Sequence, residues 1–297
     1  MNTLAKLLVI AAGLTLSATS MAQSEAPDDA EELKLAALEA LITAPPERAL
    51  PLVNKVLAGD SSIDVKERAL FILSQIEAPE AQATLLRFAR EEEGELQAEA
   101  IRMLGIGGDK EALATLGEIY QAGDHEVRDA ILEAYLIAGD KQAVFEIAAN
   151  ADNEDDFEEA VDMLGAMGAR DELRELRSRA GMSDNLINAY AISGDLDTLR
   201  ELALDDSNIE LQAQAIEAMG IVGGDQVNTT LVEIYQGATS DEIREAALDG
   251  LLISGHDAGV LELYRASENS AEKKELLERL VMMGSDDVWT IIDSALE

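Results

Sequence analysis

One short segment recurs along the chain and carries residue types that are well suited to binding. It is EIYQ at Glu118–Gln121, EIYQ again at Glu233–Gln236, and ELYR at Glu262–Arg265. A tyrosine at such a position can bury its ring against a neighbouring layer and still offer its hydroxyl to a partner. The predicted partner-binding residues are therefore Glu118, Tyr120, Glu233, Tyr235, Glu262 and Tyr264. The alternative is that the three tyrosines only close the core at the ends of their helices.

The residue types that most catalytic and metal sites require are scarce. The chain has no Cys, no Gly-x-Ser-x-Gly nucleophile elbow, and no Gly-rich turn that ends in the Lys-Ser/Thr of a phosphate loop. Its two histidines, His125 and His256, lie in predicted turns between helices. Neither has a second histidine at i+3 or i+4, as a helical zinc site would need. We predict no catalytic residue, no metal ligand, no cofactor and no enzymatic activity, with a carboxylate-only active site as the less favoured alternative.

Acidic residues dominate the charge of the chain. There are 60 acidic and 22 basic side chains, which give a formal net charge of −38. Nucleic acid is excluded as a partner because phosphate binding needs clustered Lys and Arg. The expected partner is a protein or peptide with a basic surface. A calcium-binding acidic repeat protein is the alternative, and Asp152, Glu154, Asp155 and Asp156 come closest to a calcium loop although the central Gly and the final Glu of an EF-hand are missing.

The N-terminal segment has the pattern of a secretory signal peptide. Lys6 precedes an apolar run from Leu7 to about Leu16, and small residues at Ser20 and Ala22 form a cleavage site. The run is too short to span a bilayer, so we expect no membrane insertion. We predict a signal peptide at 1–22, a disordered acidic leader at 23–32, and a periplasmic or secreted mature protein.

The rest of the chain contains an internal duplication, in which a block of roughly 85 residues occurs twice. ELQAEAIRMLGIGG at Glu95–Gly108 recurs as ELQAQAIEAMGIVGG at Glu210–Gly224, and the similarity continues over blocks 95–180 and 210–297. Shorter units of about 30 residues begin near Asp64, Glu95, Glu126, Asp155, Ser183, Glu210, Glu242 and Ala271. Apolar residues within them follow helical spacing, and no alternating strand pattern occurs. An all-α fold of helix pairs is therefore predicted.

The unit resembles a known repeat. ELQAEAIRMLGIGGDKEAL and EVRDAILEAYLIAGDKQAV follow the pattern of the short HEAT-like repeat, which is related to armadillo repeats. The tetratricopeptide signature Trp-x-x-Leu-Gly-x-x-Tyr is missing. The resemblance implies a right-handed α-solenoid of about eight helix pairs over residues 33–297. It also implies a scaffold or adaptor that binds its partner on an extended surface, although HEAT-like units occur in bilin lyases as well.

Overall fold

A computed structural model describes residues 29–107, 110–181 and 183–296. The predicted signal peptide and positions 23–28 of the predicted leader lie outside the described residues. Within these ranges there are eighteen α-helices and no β-strand, which confirms the predicted all-α fold of HEAT-like type. Among the described helices, none combines the length and the apolar character that a membrane span requires.

The helices follow one another in pairs joined by short turns. In chain order they are α1 Asp29–Glu39, α2 Pro46–Leu57, α3 Ile63–Ser74, α4 Pro79–Glu91, α5 Glu95–Gly107, α6 Lys110–Ala122, α7 His125–Ala138, α8 Lys141–Ala149, α9 Glu154–Ala166, α10 Arg170–Ala180, α11 Asp184–Ser193, α12 Leu196–Ala203, α13 Ile209–Val222, α14 Asp225–Gly237, α15 Asp241–Ile253, α16 Asp257–Ala266, α17 Ser270–Met283 and α18 Asp287–Leu296. The first helix of every predicted unit begins within one residue of the predicted position.

The turns within a unit use glycine and aspartate as the sequence pattern indicates. Gly139 ends α7 with a left-handed φ of 70°, and the side chain of Asp140 accepts a hydrogen bond from the Ala143 N–H at the start of α8. Gly194 and Asp195 do the same between α11 and α12. A left-handed glycine followed by an aspartate cap satisfies backbone groups on both sides of the turn.

The start of α1 differs from the predicted domain boundary. The helix begins at Asp29, inside the predicted leader at 23–32. Glu31 and Glu32 stand in its first turn, where acidic side chains interact favourably with the positive end of the helix dipole. Acidity alone therefore did not mark disorder at these positions.

The chain divides into two compact units, Met1–Gly107 and Gly108–Glu297. In the first unit, α3 packs against α1, α2, α4 and α5. Its core residues include Val53, Leu73, Leu85 and Leu104, each almost fully buried. The single solenoid predicted over 33–297 stays a prediction.

One glutamate of the first unit lies among other acids. Partial burial, followed by the charges of Glu99, Glu95 and Asp64, raises the pKa of Glu67 from 4.5 to about 6. The folded state therefore holds the Glu67 proton more tightly than the unfolded state does. The stability that this proton contributes is complete below pH 4.5 and is lost as the pH rises through about 6.

Glu67→Gln should consequently stabilise the protein at pH 8 but not at pH 4.5. Because Glu67 is only partly buried, solvent screens its charge, and we expect a gain of up to about 1 kcal/mol in the free energy of unfolding at pH 8. Urea unfolding followed by circular dichroism at the two pH values measures it. Glu77→Gln, at an exposed position of the same unit, is the control. An equal effect of both substitutions would contradict the assignment to Glu67.

In the second unit, the first helices of successive pairs pack side by side, α9 on α11, α11 on α13 and α13 on α15. The approach of α13 and α15 is close because Gly220 and Gly250 face each other: a Cβ on Gly220 would lie 2.3 Å from the Gly250 carbonyl oxygen. Tyr190 and Tyr135 are buried in this unit, and their hydroxyls donate to the carbonyl oxygens of Leu173 and Leu113.

A buried aspartate links two helices of the second unit. Asp195, 1% exposed, caps α12 and accepts hydrogen bonds from Arg174 of α10, at 2.8 Å from Nε and 2.6 Å from Nη2. The Thr198 hydroxyl donates to it at 2.7 Å. Burial alone would raise the pKa of Asp195, but these hydrogen bonds outweigh burial and hold it below its usual value of 3.8.

Candidate functional site

The two duplicated blocks each contain a cleft at the same place in the repeat. The first cleft, of about 480 Å³, is lined by Tyr120 and Arg128 among others. The second cleft, of about 770 Å³, is lined by Tyr235 and Arg244. The two tyrosines occupy equivalent positions of the EIYQ segments, and the two arginines occupy equivalent positions of the helices that follow.

Two consecutive helices position the tyrosine and the arginine of each cleft. The tyrosine lies in the last turn of one helix, α6 or α14, and the arginine in the first turn of the next, α7 or α15. The arginine bonds back to the preceding segment: Arg128 Nε donates to the Tyr120 carbonyl at 3.2 Å, and Arg244 Nε to the Ala238 carbonyl at 3.4 Å. The Arg128 guanidinium also lies over the Tyr120 ring, 5.3 Å from its centroid. The helix ends therefore fix the tyrosine and the arginine together.

In the first cleft, a carboxylate from α9 pairs with the arginine. Arg128 Nη1 lies 2.8 and 2.7 Å from the two oxygens of Asp156, and the Asn153 amide donates to the same carboxylate at 2.9 Å. Tyr120 is 7% exposed, and within the part of the chain that the structure describes its buried hydroxyl has no hydrogen-bond partner. A buried polar group without a partner costs free energy, so this hydroxyl is suited to a ligand that could bond to it.

In the second cleft, the equivalent carboxylate accepts a hydrogen bond from the tyrosine instead. Tyr235 is 5% exposed and donates its hydroxyl to Glu272 Oε1 at 2.9 Å, while the Ser267 hydroxyl donates to the other oxygen of Glu272. Arg244 Nη1 pairs with Asp241 at 2.5 Å. Glu272 has one methylene more than Asp156 at the equivalent position. We attribute the exchange of partners to this extra reach and to the aspartate at position 241.

Both tyrosines remain protonated at neutral pH. Burial and the charge of Asp156 raise the pKa of Tyr120 to about 12, against an opposing effect of Arg128. Burial and the hydrogen bond to Glu272 raise the pKa of Tyr235 further. The hydroxyls can therefore donate and accept hydrogen bonds, but they are poorly suited to act as bases or nucleophiles near pH 7.

The rims of the clefts are acidic. The second cleft is lined by five carboxylates and one guanidinium, namely Asp241, Glu245, Glu268, Glu272, Glu275 and Arg244. The first cleft has the carboxylates Asp140, Glu146, Asp152 and Asp156 against Arg128. The arrangement can attract and hold positively charged groups.

The comparisons with known proteins agree with the repeat pattern. Residues 50–136 match the family model of HEAT repeats. This region of the chain therefore consists of HEAT repeats. No curated protein matches the sequence significantly.

The chain is similar to several solved structures, but only at a low level. The CpcE–CpcF complex of phycocyanin lyase from Nostoc sp. PCC7120 is 17% identical, with 94% of this chain and 98% of that chain covered and a TM-score of 0.30. Human deoxyhypusine hydroxylase in complex with glycerol is 18% identical over 89% and 91%, with a TM-score of 0.33. An engineered protein is 17% identical over 84% and 97%, with a TM-score of 0.26. Likenesses at these scores carry no information on function.

The fold brings together only some of the predicted partner-binding residues. Tyr120 and Tyr235 line the clefts, whereas Glu118, Glu233 and Glu262 are exposed and line neither cleft. Each glutamate precedes its tyrosine by two positions, and residues at i and i+2 of a helix point to different faces. Tyr264 is half-buried under Lys273, whose Nζ lies 5.4 Å from the ring centroid. The partner-binding role of the six residues stays a prediction.

Sequence analysis missed the arginines and identified Asp156 only as part of an acidic run. A signal for the arginines exists, because each of the three tyrosines is followed eight or nine positions later by a basic residue, Arg128, Arg244 or Lys273. The pairing of Asp156 with Arg128 also bears on the calcium alternative. That carboxylate is already engaged, and Asn153 caps α9 as in an ordinary helix start.

The fold also brings together one group of possible metal ligands within the described residues. It consists of His125 and Asp129 of α7 and Glu159 of α9. His125 is the first residue of its helix rather than a turn residue, and His256 is the residue before α16. Glu159 is distant in sequence, so a search for a second histidine nearby could not find the group.

Proposed function

We propose that this HEAT-repeat protein is an exported, non-enzymatic scaffold that binds a protein or peptide with a basic surface in its two clefts. The observation that carries the proposal is the recurrence of one cleft at equivalent positions of both blocks. Each combines a buried tyrosine, an arginine and an excess of carboxylates.

The charge of the molecule favours a basic partner. The net charge of −38 attracts cations over long distances and accelerates encounter with a positively charged protein. The clefts concentrate this charge at concave places, where a Lys or Arg side chain can approach several carboxylates at once. Attraction of this kind weakens as salt screens the charges.

The tyrosines add a shorter-range contribution. The Tyr120 hydroxyl stays protonated and has no partner among the described residues. It can accept a hydrogen bond from an ammonium or guanidinium group, or donate one to a backbone carbonyl. A basic side chain at the first cleft could therefore gain a hydrogen bond in addition to its ion pairs.

Export rests on the sequence alone. Lys6, the apolar run and the small residues before Gln23 have the order found in cleaved signal peptides. Cleavage near Ala22 would release the repeats into the periplasm or the extracellular space. N-terminal sequencing of the protein purified from its native compartment tests this part.

Neutralising the second cleft should weaken binding of a basic peptide. The probe is a fluorescein-labelled peptide of six Lys-Gly pairs, and a Glu-Gly peptide of the same length serves as reference. Glu268→Gln together with Glu275→Gln removes two exposed carboxylates from the rim and should raise Kd for the basic peptide at least about fivefold, or about 1 kcal/mol. Fluorescence anisotropy at 50 and 300 mM salt measures Kd.

A matched variant separates the cleft from net charge. Glu77→Gln with Glu80→Gln removes the same charge from exposed positions of the first unit and should change Kd less than about twofold. Equal losses in the two variants, or equal binding of both peptides, would rule out the cleft as the binding site.

A further inference from the structure

A histidine and two carboxylates converge on the surface of the second unit. His125 and Asp129 lie one turn apart on α7, and Glu159 lies on α9, which belongs to the next helix pair. His125 Nδ1 is 3.5 Å from Asp129 Oδ1 and 3.8 Å from Glu159 Oε1. The three side chains thus present one nitrogen and two oxygens to the same small volume.

The spacing fits a tetrahedral metal ion. Zinc bonds to histidine nitrogen and carboxylate oxygen are about 2.0–2.2 Å long, so two ligands of a tetrahedral ion stand about 3.4 Å apart. The observed 3.5 and 3.8 Å are within a few tenths of an ångström of that separation. His125 is 76% exposed, so its ring can adjust to an ion, and a fourth position is left for water or another ligand.

The second block has no histidine at the equivalent position, and its side chains are arranged differently. Asp241, Glu245 and Glu275 stand at the positions equivalent to His125, Asp129 and Glu159. There, Asp241 pairs with Arg244 at 2.5 Å, and Arg279 approaches Glu245 at 3.8 Å.

In the first block, one of these two arginines is replaced by another residue, and the other pairs with a carboxylate outside the group. Met163 stands at the position equivalent to Arg279, and Arg128 is directed to Asp156. The first block therefore differs from the second in two ways that favour a metal ion. It supplies an imidazole, and it lacks the arginine that approaches the carboxylates from the facing helix.

We propose that His125, Asp129 and Glu159 bind a first-row divalent cation, with Zn²⁺ as the best match, and thereby link two consecutive repeats. A nitrogen ligand favours Zn²⁺ over Ca²⁺ and Mg²⁺, which prefer oxygen ligands alone. Asp129 and Glu159 also interact with other side chains, so the ion competes with those contacts. The affinity is therefore that of an exposed three-ligand site, weaker than a closed structural zinc site.

The two histidines of the chain make a direct test possible. Titration of the full mature protein with ZnSO₄ in 10 mM MgCl₂, followed by NMR of ¹⁵N-labelled histidine rings, gives two separate sets of signals. The excess Mg²⁺ occupies non-specific acidic positions. We expect the His125 ring nitrogens to shift and saturate at one equivalent of Zn²⁺, while those of His256 stay unchanged. Shifts of both histidines alike, or none at millimolar Zn²⁺, would overturn the proposal.

Substitutions identify the other ligands. Glu159→Gln should weaken Zn²⁺ binding at least tenfold in calorimetry, and His125→Gln should abolish it under the same conditions. Glu275→Gln at the equivalent position of the second block should bind like the wild type. Wild-type affinity in Glu159→Gln, or an equal loss in Glu275→Gln, would show that the acidic surface binds the ion without this geometry. Circular dichroism checks that each variant is folded.

Discussion

Gly220→Ala should lower the free energy of unfolding by at least about 2 kcal/mol, because overpacking against rigid neighbours typically costs 1–3 kcal/mol. An added Cβ would lie 2.3 Å from the carbonyl oxygen and 2.7 Å from the Cα of Gly250. These are backbone atoms, so no side-chain rotation relieves the contact. The helices α13 and α15 would have to move apart, which would loosen the core that they share.

Urea unfolding followed by circular dichroism measures the loss. Gly237→Ala is the matched control, since a Cβ there would meet no atom within 4 Å. Alanine also favours a helix more than glycine does, so the control should be neutral or slightly stabilising. A Gly220→Ala protein as stable as Gly237→Ala would mean that α13 and α15 do not pack at this distance.

Asp195→Ala should cost about 2–4 kcal/mol, as it removes a helix cap and charge-assisted hydrogen bonds together. The carboxylate is 1% exposed and holds both Arg174 and Thr198. Since folding lowers the pKa of Asp195, its contribution is present above the usual value of 3.8 and is lost as the pH falls below it. The wild type and the variant should therefore converge in stability towards acidic pH.

An exposed ion pair on the same two helices provides the control. Arg177 of α10 lies 3.2 Å from Glu201 of α12, but Glu201 is 68% exposed. Glu201→Ala should change the free energy of unfolding by less than about 0.5 kcal/mol. If the two substitutions had the same effect, burial of Asp195 would not be the source of its contribution.

The fold was predictable because it depends on local and repeating signals. Apolar residues at helical spacing recur in every unit, and turns such as Gly139–Asp140 recur in several, so the units support one another's assignment. The clefts were predictable only in part. Tyr120 and Tyr235 were identified because their motif repeats. Asp156 and Glu272, which also line the clefts, lie on helices that begin only at Glu154 and Ser270.

Two spatial relations could not be inferred from the sequence, for physical reasons. The prediction groups Glu118 with Tyr120, whereas two positions along a helix turn the side chain to a different face, and only Tyr120 lines the cleft. His125 was judged by what stands near it in sequence, while one of its partners, Glu159, comes from the next pair of helices. Side-chain contacts between successive repeats are therefore the part of the structure that the sequence pattern does not predict.

Only one of the two tyrosine hydroxyls already has a hydrogen-bond partner, and this difference predicts the orientation in which a partner protein would bind. A ligand at Tyr235 would have to displace an existing hydrogen bond to Glu272, whereas a ligand at Tyr120 would displace none among the described residues. If one extended partner carries a basic segment for each cleft, its tighter-binding segment is expected at Tyr120 and its weaker one at Tyr235. The duplicated blocks would then hold that partner in one orientation, and a copy with its two segments exchanged would bind less tightly.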